Sequence, residues 1–189
     1  MAKVTMRPDR LMQPRPTLLI GTIIDGKVNF LTAGGGGVAN AEPPMISIPI
    51  HHSRYTMKGI AQNLAFSVNI PSVDLVAETD YCGIVSGSKV DKVAACKFKI
   101  FYGSLKTAPL IEQCPVNLEC KLEHMLDLGS HFLVIGQIVG TYVSEDCISD
   151  GKPDVYKIKP IIYNRESGEY IAFGKVVAKA SSIGKKLIK

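Results

Sequence analysis

A mainly β protein with short helices, closed as an antiparallel barrel, is the fold class this sequence predicts. Three observations carry it. Long apolar and β-branched runs stand near both ends of the chain, at Thr17-Leu-Leu-Ile-Gly-Thr-Ile-Ile24 and at His131-Phe-Leu-Val-Ile-Gly-Gln-Ile-Val-Gly-Thr-Tyr-Val143. The segment between Val116 and His124 alternates apolar and polar, the mark of a half-buried strand. The helical patterns between these runs are few and short. Strands at both ends of a chain suit closure, which removes exposed edges.

The elements follow in order. Pro14-Arg-Pro16 ends a polar leader, and Thr17–Ile24 reads as a buried strand. Asp25-Gly26 is a hairpin signal, so Lys27–Thr32 returns as the second strand. A four-glycine loop, Gly34–Gly37, follows. Met45–Ile50 is a third strand, with Pro49 near its end, where a missing N–H is tolerated. Thr56 stands as N-cap of a helix over Met57–Leu64. Phe66–Ile70 is a strand. Ser72 caps a helix with Val73, Val76 and Tyr81 facing inward. A loop of small residues through Ser86 and Ser88 enters a helix at Val90–Cys96, and Phe98–Tyr102 is a short strand. In the long second-half strand, Gly136 or Gly140 permits a bend. Lys159–Tyr163 and Glu169–Phe173 flank Ser167-Gly168 as a last hairpin. The expected division is a leader at 1–13, one barrel domain at 14–175 and a basic tail at 176–189.

Composition narrows the function classes. With 46% hydrophobic and 21% charged residues the chain is globular, and its length supports one sizeable core. The net charge of +5 is scattered, densest at Lys185, Lys186 and Lys189. It mildly favours small anionic ligands and argues for neither nucleic acid nor membrane. No apolar run reaches about 18 residues, so no transmembrane helix is expected. The N-terminus lacks a signal-peptide core. Five cysteines, Cys82, Cys96, Cys114, Cys120 and Cys147, have no CxxC spacing and read as reduced thiols of a cytoplasmic protein. His51 and His52 are adjacent on a strand and point to opposite faces, so no metal site is expected.

Two segments carry ligand chemistry. Ser53-Arg-Tyr-Thr56 offers hydroxyls and a guanidinium just before a helix, whose first N–H groups lack intrahelical partners. A guanidinium bonds phosphate oxygens in pairs. Ser86, Ser88 and Lys92 offer a second set of anion contacts. The glycines at 34–37 let a backbone approach a ligand closely. Gly34-x-Gly36-x-x-Ala39 matches the dinucleotide fingerprint as a string, but Pro43-Pro44 blocks the helix that fingerprint requires, which excludes a Rossmann site. These residues alone also fit a capped helix with an exposed arginine and a plain surface loop. No Ser-His-Asp or paired-carboxylate signature is present.

The ordered series of motifs is more specific than any one of them. Gly26-Lys-Val-Asn29, Pro43-Pro44, Ser53-Arg-Tyr-Thr56 and Val68-Asn-Ile-Pro71 are followed by Asp80-Tyr-Cys-Gly83, Ser86-Gly87 and Asp91-Lys92. Ala108-Pro-Leu-Ile111, Cys114–Glu119, Leu128-Gly-x-His131, Ile135-Gly136 and Tyr170-x-x-x-Gly174 complete it. Over about residues 14 to 175 the chain resembles the flavin reductase-like, FMN-binding split-barrel family, in its flavoredoxin branch. The resemblance implies a six-stranded, Greek-key type split barrel that dimerises and binds FMN near the subunit interface. It places the phosphate at Ser53, Arg54, Tyr55 and Thr56, with Ser86 and Lys92. It places the isoalloxazine edge along Thr32, Ala33, Gly34, Gly35, Gly36 and Gly37, and puts Asn69 and Cys82 close by. No side chain need act as acid or base, since the flavin carries the redox chemistry. The implied partners are a second copy and either NAD(P)H or a protein electron donor or acceptor. The implied activities are NAD(P)H:FMN oxidoreductase, or electron carrier with tightly held FMN. Many members carry a Trp or another bulky residue in the glycine loop. This chain has no Trp, which leaves the ring face more open.

Overall fold

The structure, a computed structural model, describes residues 1–188; Lys189 of the basic cluster lies outside the described residues. Strand β1 (Leu18–Ile24) turns at Asp25-Gly26, both at positive φ, into β2 (Lys27–Ala33). That backbone twist is the one a two-residue hairpin favours. After the glycine loop come β3 (Gly37–Asn40) and β4 (Met45–His51). Helix α1 (Thr56–Asn63) leads to β5 (Ala65–Ile70). A 3-10 turn at Val73–Leu75 opens α2 (Val76–Ile84), and α3 (Lys92–Cys96) follows. Two-residue strands β6 (Ile100–Phe101) and β7 (Leu110–Ile111) pair, and then β8 (Val116–Asp127) and β9 (His131–Val143) form the longest hairpin. A lobe of β10 (Ile148–Ser149), β11 (Lys152–Pro153) and α4 (Val155–Ile158) precedes the hairpin β12 (Ile162–Asn164) and β13 (Glu169–Ile171).

The main sheet runs β2-β1-β5-β8-β9-β4-β3, and every pairing in it is antiparallel. Six long strands curl about one core, and β3 adds a short, exposed seventh. Leu18, Ile20, Leu31, Ile46, Ile48, Ile50, Ile60, Phe66, Val68 and Val134 fill that core. Each fully buried large side chain contributes roughly 1.5–3 kcal/mol. The sheet begins at β2 and reaches β4 only through the other strands, so β2 and β4 are not hydrogen-bonded neighbours. That unpaired seam is the split of the barrel. A second cluster under α2 and α3 joins Leu19, Phe30, Cys82, Phe98, Ile111 and Cys114.

Pro49 lies toward the end of β4, as expected, opposite Leu133. Three details depart from the sequence reading. Gly37 starts β3 rather than ending a loop. Thr56 is the first helical residue, not the cap: Tyr55 holds the cap position with no side-chain bond, and the Thr56 hydroxyl accepts from Asn29 Nδ2 instead. In α2 it is Thr79 and Cys82 that face inward, while Val76 is exposed. The register of β9 against β8 shifts beside both glycines at which a bend was expected, next to the Glu119–Gly140 pair and next to the Leu122–Gly136 pair.

Candidate functional site

The seam between β2 and β4 opens into connected hollows around Arg54. The smallest, a cup of about 100 Å³, is lined by Asn29, Ser53, Arg54, Tyr55, Thr56, Ser86, Gly87 and Lys92. The sequence places these on four separate segments, and the fold brings all six expected phosphate residues to one cup. A trough of about 400 Å³ adjoins it through Arg54 and Leu31, lined by Thr32, Ala33, Gly34, Gly35, Ile50, His51 and His131. A third hollow of about 290 Å³ shares Thr32, Gly34 and Arg54 with the trough and adds Asp80, Gly83, Tyr163 and Tyr170.

Electrostatics single out the cup. Lys92 is only 3% exposed. Its Nζ donates to the Phe30 carbonyl at 2.7 Å and to the Cys82 carbonyl at 2.8 Å. An ammonium has three donors, so one remains. Burial, and then the nearby Arg54 charge, hold the Lys92 pKa below its ordinary value. Arg54 bonds only the Gly83 carbonyl, at 3.3 Å, and neither cation has a carboxylate partner among the described residues. Two cations facing one cup without a counter-ion are unfavourable until an anion enters.

Asn29 adds to this. It is 5% exposed, its Nδ2 donates to Thr56 Oγ1 at 2.8 Å, and its Oδ1 has no partner. A half-turn of the amide would let the Thr56 hydroxyl donate to Oδ1. Gly87 passes directly over this side chain, and a Cβ there would stand 1.8 Å from Oδ1. Any other residue at 87 would displace either the loop or Asn29.

The helix end contributes less than its sequence suggests. The Met57 and Lys58 amides are taken by the Arg54 and Tyr55 carbonyls, and the Arg54 amide by His51. The Tyr55 and Thr56 amides are left for a ligand. Ser53 Oγ lies 2.9 Å from His51 Nδ1, and Ser86 Oγ 2.9 Å from Ser88 Oγ.

Along the trough, the Gly34 and Gly35 amides are not taken by any described turn or loop bond. The Thr32 hydroxyl donates to the Thr79 carbonyl, so it ties β2 to α2, and the edge it offers a ligand is backbone. The Tyr163 ring closes over Gly34, where a Cβ would approach it to 2.8 Å. Tyr170 Oη donates to Asp80 Oδ1 at 2.9 Å. At the far end the His51 and His131 rings meet edge-on at 5.1 Å. Burial and the neighbouring His51 lower the His131 pKa. His52, expected on the strand, is instead the first turn residue after β4; it lies 3.2 Å from Asp127 and its ring stacks on Phe132.

Four expected site residues lie elsewhere. Asn69 is fully buried under β1: its Nδ2 donates to the Leu19 carbonyl and Ser67 Oγ, and its Oδ1 accepts from the Ile111 amide and Asn117 Nδ2. Nothing is left over for a ligand. The Cys82 thiol is sealed in the core under α2, where burial pushes its pKa up to about 12; only its carbonyl serves the site, through Lys92. Gly36 is folded against Leu18 and the Ser47 carbonyl, and Gly37 belongs to β3. Conversely, Asn29, Tyr163 and His51 line the hollows and were given no site role by the sequence. Asn29 stood in a quoted motif, but only the fold shows that its amide is unsatisfied.

With this geometry in place, comparison with known proteins is informative. Residues 11–170 match the model of the flavin reductase like domain, and the chain belongs to that family. A crystal structure of a flavoredoxin from Methanosarcina acetivorans is 38% identical and superposes with a TM-score of 0.94, covering 99% of this chain and 100% of that one. The flavoredoxin of Desulfovibrio vulgaris (Miyazaki F) is 34% identical, with a TM-score of 0.90 over 97% of this chain and 100% of that one. A Shewanella frigidimarina protein with a split barrel domain is 21% identical, with a TM-score of 0.78 over 89% of this chain and 86% of that one. That likeness concerns the fold alone: this chain is a split barrel. No helix among the described residues is long and apolar enough to cross a membrane.

Proposed function

We propose that the chain is an FMN-binding redox protein whose phosphate site is the cup at Arg54 and Lys92. The observation that carries this reading is the unpaired charge: two cations, one almost wholly buried, face a hydroxyl-lined hollow that opens into a trough. A phosphate dianion would accept from the Arg54 fork, the third Lys92 proton and the Ser53 and Ser86 hydroxyls. The likeness to two flavoredoxins supports the flavoprotein part of this reading. Bound FMN supplies hydride and single-electron chemistry at its ring. The protein's part is to hold that ring along Ala33–Gly35, with backbone N–H groups aimed at its polar edge. Such fixed donors favour negative charge developing on a reduced ring. Tyr163 fixes the Gly34 segment from outside, and no described side chain is required as an acid or base.

We further propose a homodimer. The outward face of β4, β8 and β9 carries Pro49, Leu126, Leu133 and Ile135 in register, next to the trough residues His51, Leu128 and His131. A second copy on that face would wall the trough from water. The electron source is either NAD(P)H, stacking on the open ring face beside the Trp-free glycine loop, or a protein partner of a tightly held flavin. Five free cysteines suit a reducing, cytoplasmic setting. One experiment separates the two activities. Protein that stays yellow through dialysis is titrated anaerobically with NADH and with NADPH. Bleaching within seconds supports the reductase, and unchanged absorbance supports the carrier. A protein that takes up no FMN at all would overturn both.

A further inference from the structure

Both chain ends leave the barrel at one place. Pro14 and Pro16 of the leader and Phe173 at the root of the tail line a single cavity of about 270 Å³, with Ile70, Val155 and Ile158. Its wall is apolar, and Val155, Tyr156 and Phe173 are exposed around it at 37%, 48% and 47%. Beyond Phe173 every residue from Gly174 to Ile188 is exposed, including Val176 at 69% and Val177 at 94%. The described backbone bonds of this arm close within the arm itself. An extended arm that presents paired valines to water has no stabilisation from its own chain. Something outside the chain would have to bury those valines.

Charge identifies what. From Gly174 onward the sequence has Lys175, Lys179, Lys185, Lys186 and Lys189 and no acidic residue. The lobe beside the cavity has Glu145, Asp146, Asp150 and Asp154 against Lys152 and Lys157, so it is net acidic. We propose that the C-terminal arm docks on a second copy of this chain, with Val176 and Val177 against the Val155–Ile158–Phe173 cavity and its lysines along the 145–154 lobe. Such an exchange is self-complementary, as a two-fold interface requires. It also reaches the flavin trough. The β12–β13 hairpin that carries Tyr163 and Tyr170 ends at Ile171, two residues before Phe173, so docking of the partner's arm braces the trough wall. The proposal rests on the dimer reading above and adds which segment is exchanged and where it seats.

The test places the photocrosslinking residue p-benzoylphenylalanine at Val177 in the full chain, with oligomeric state read separately by sedimentation. The expected result is a sedimenting dimer that yields a covalent species of twice the 20.5 kDa chain on a denaturing gel, with the crosslink mapped to 145–158 or Phe173. Glu145→Lys with Asp146→Lys should lower that yield about threefold or more. A sedimenting dimer whose crosslinks all lie within one chain, or fall outside this lobe, overturns the arm exchange and leaves the dimer standing. A monomer by sedimentation overturns both.

Discussion

Two buried polar clusters lie on the same barrel and differ in one respect. In the first, Asn69, Asn117 and Glu119 are satisfied by their own chain. The Glu119 carboxylate, with no exposed surface, accepts from the Ser104 amide and hydroxyl, from the Leu105 amide at 2.5 Å and from Tyr142 Oη. In the second, Lys92 keeps one donor free, Asn29 keeps one acceptor unpaired, and Arg54 has no counter-charge. Both clusters are hydrophilic residues inside a β protein. Only the second leaves its hydrogen-bond accounting open, and an open account in a hollow marks a ligand site. The first cluster ties β5, β8 and the 103–111 loop together, which is structural work.

Substitutions should therefore separate stability from binding. The largest effect is expected at Glu119. Glu119→Ala strands two backbone amides and the Ser104 hydroxyl, and should lower unfolding free energy by about 3–5 kcal/mol. Urea denaturation checks this, and a cost below about 1 kcal/mol would break the contrast. Next, Arg54→Ala should weaken FMN binding about 10- to 150-fold, with the denaturation midpoint unchanged, because its side chain is exposed and makes no core contact. Arg54→Lys should recover only part of the loss, since a point charge lacks the fork.

Lys92→Met sharpens the contrast through pH. The folded apoprotein holds the Lys92 pKa below 10.5, its ordinary value. Its unfolded chain therefore binds more protons between those two values, and stability from this group rises with pH across that window. Below the folded pKa the full cost of the buried charge is present. The Met variant lacks that cost, so the apo variant should be the more stable one at neutral pH, and wild type should close the gap as pH approaches 10.5. Denaturation midpoints at neutral pH and near pH 10 measure it; a gap that widens with pH would show that the ammonium is favourably paired without ligand. The smallest effect is expected at Asn69→Ala, which should leave FMN affinity within about twofold while lowering stability. Fluorescence titration of the folded variant decides whether Asn69 belongs to the structural cluster.

The fold was largely legible in the sequence. The β1–β2 hairpin followed from Asp25-Gly26 between apolar runs, and β8 and β9 were legible as strands from the alternation at 116–124 and the apolar run at 131–143, though not their pairing. What pattern could not supply was the seam, because which two strands fail to pair depends on sheet order. The cup was legible in residue type, since Ser53–Thr56, Ser86 and Lys92 do converge. The donor inventory was not. Thr56 sits within the helix it was expected to cap, and two first-turn amides are already bonded, so the proposed anion site relies on side-chain cations more than on the helix end. Asn69 and Cys82 stand in the same motif series as the cup residues, but alternation along β5 and the inward face of α2 turn both into the core. Asn29 was hidden because a satisfied and an unsatisfied asparagine look alike until their partners are placed.

The central claim is that the unpaired cations at Arg54 and Lys92 hold a phosphate. The most direct measurement is a paired fluorescence titration of the apoprotein with FMN and with riboflavin, which differ by that group alone. Two or more charge-assisted contacts, each worth roughly 1.5–3 kcal/mol, predict that FMN binds on the order of 100-fold more tightly, and that Arg54→Ala removes most of the difference. Equal dissociation constants for the two flavins in the wild-type protein would contradict the account.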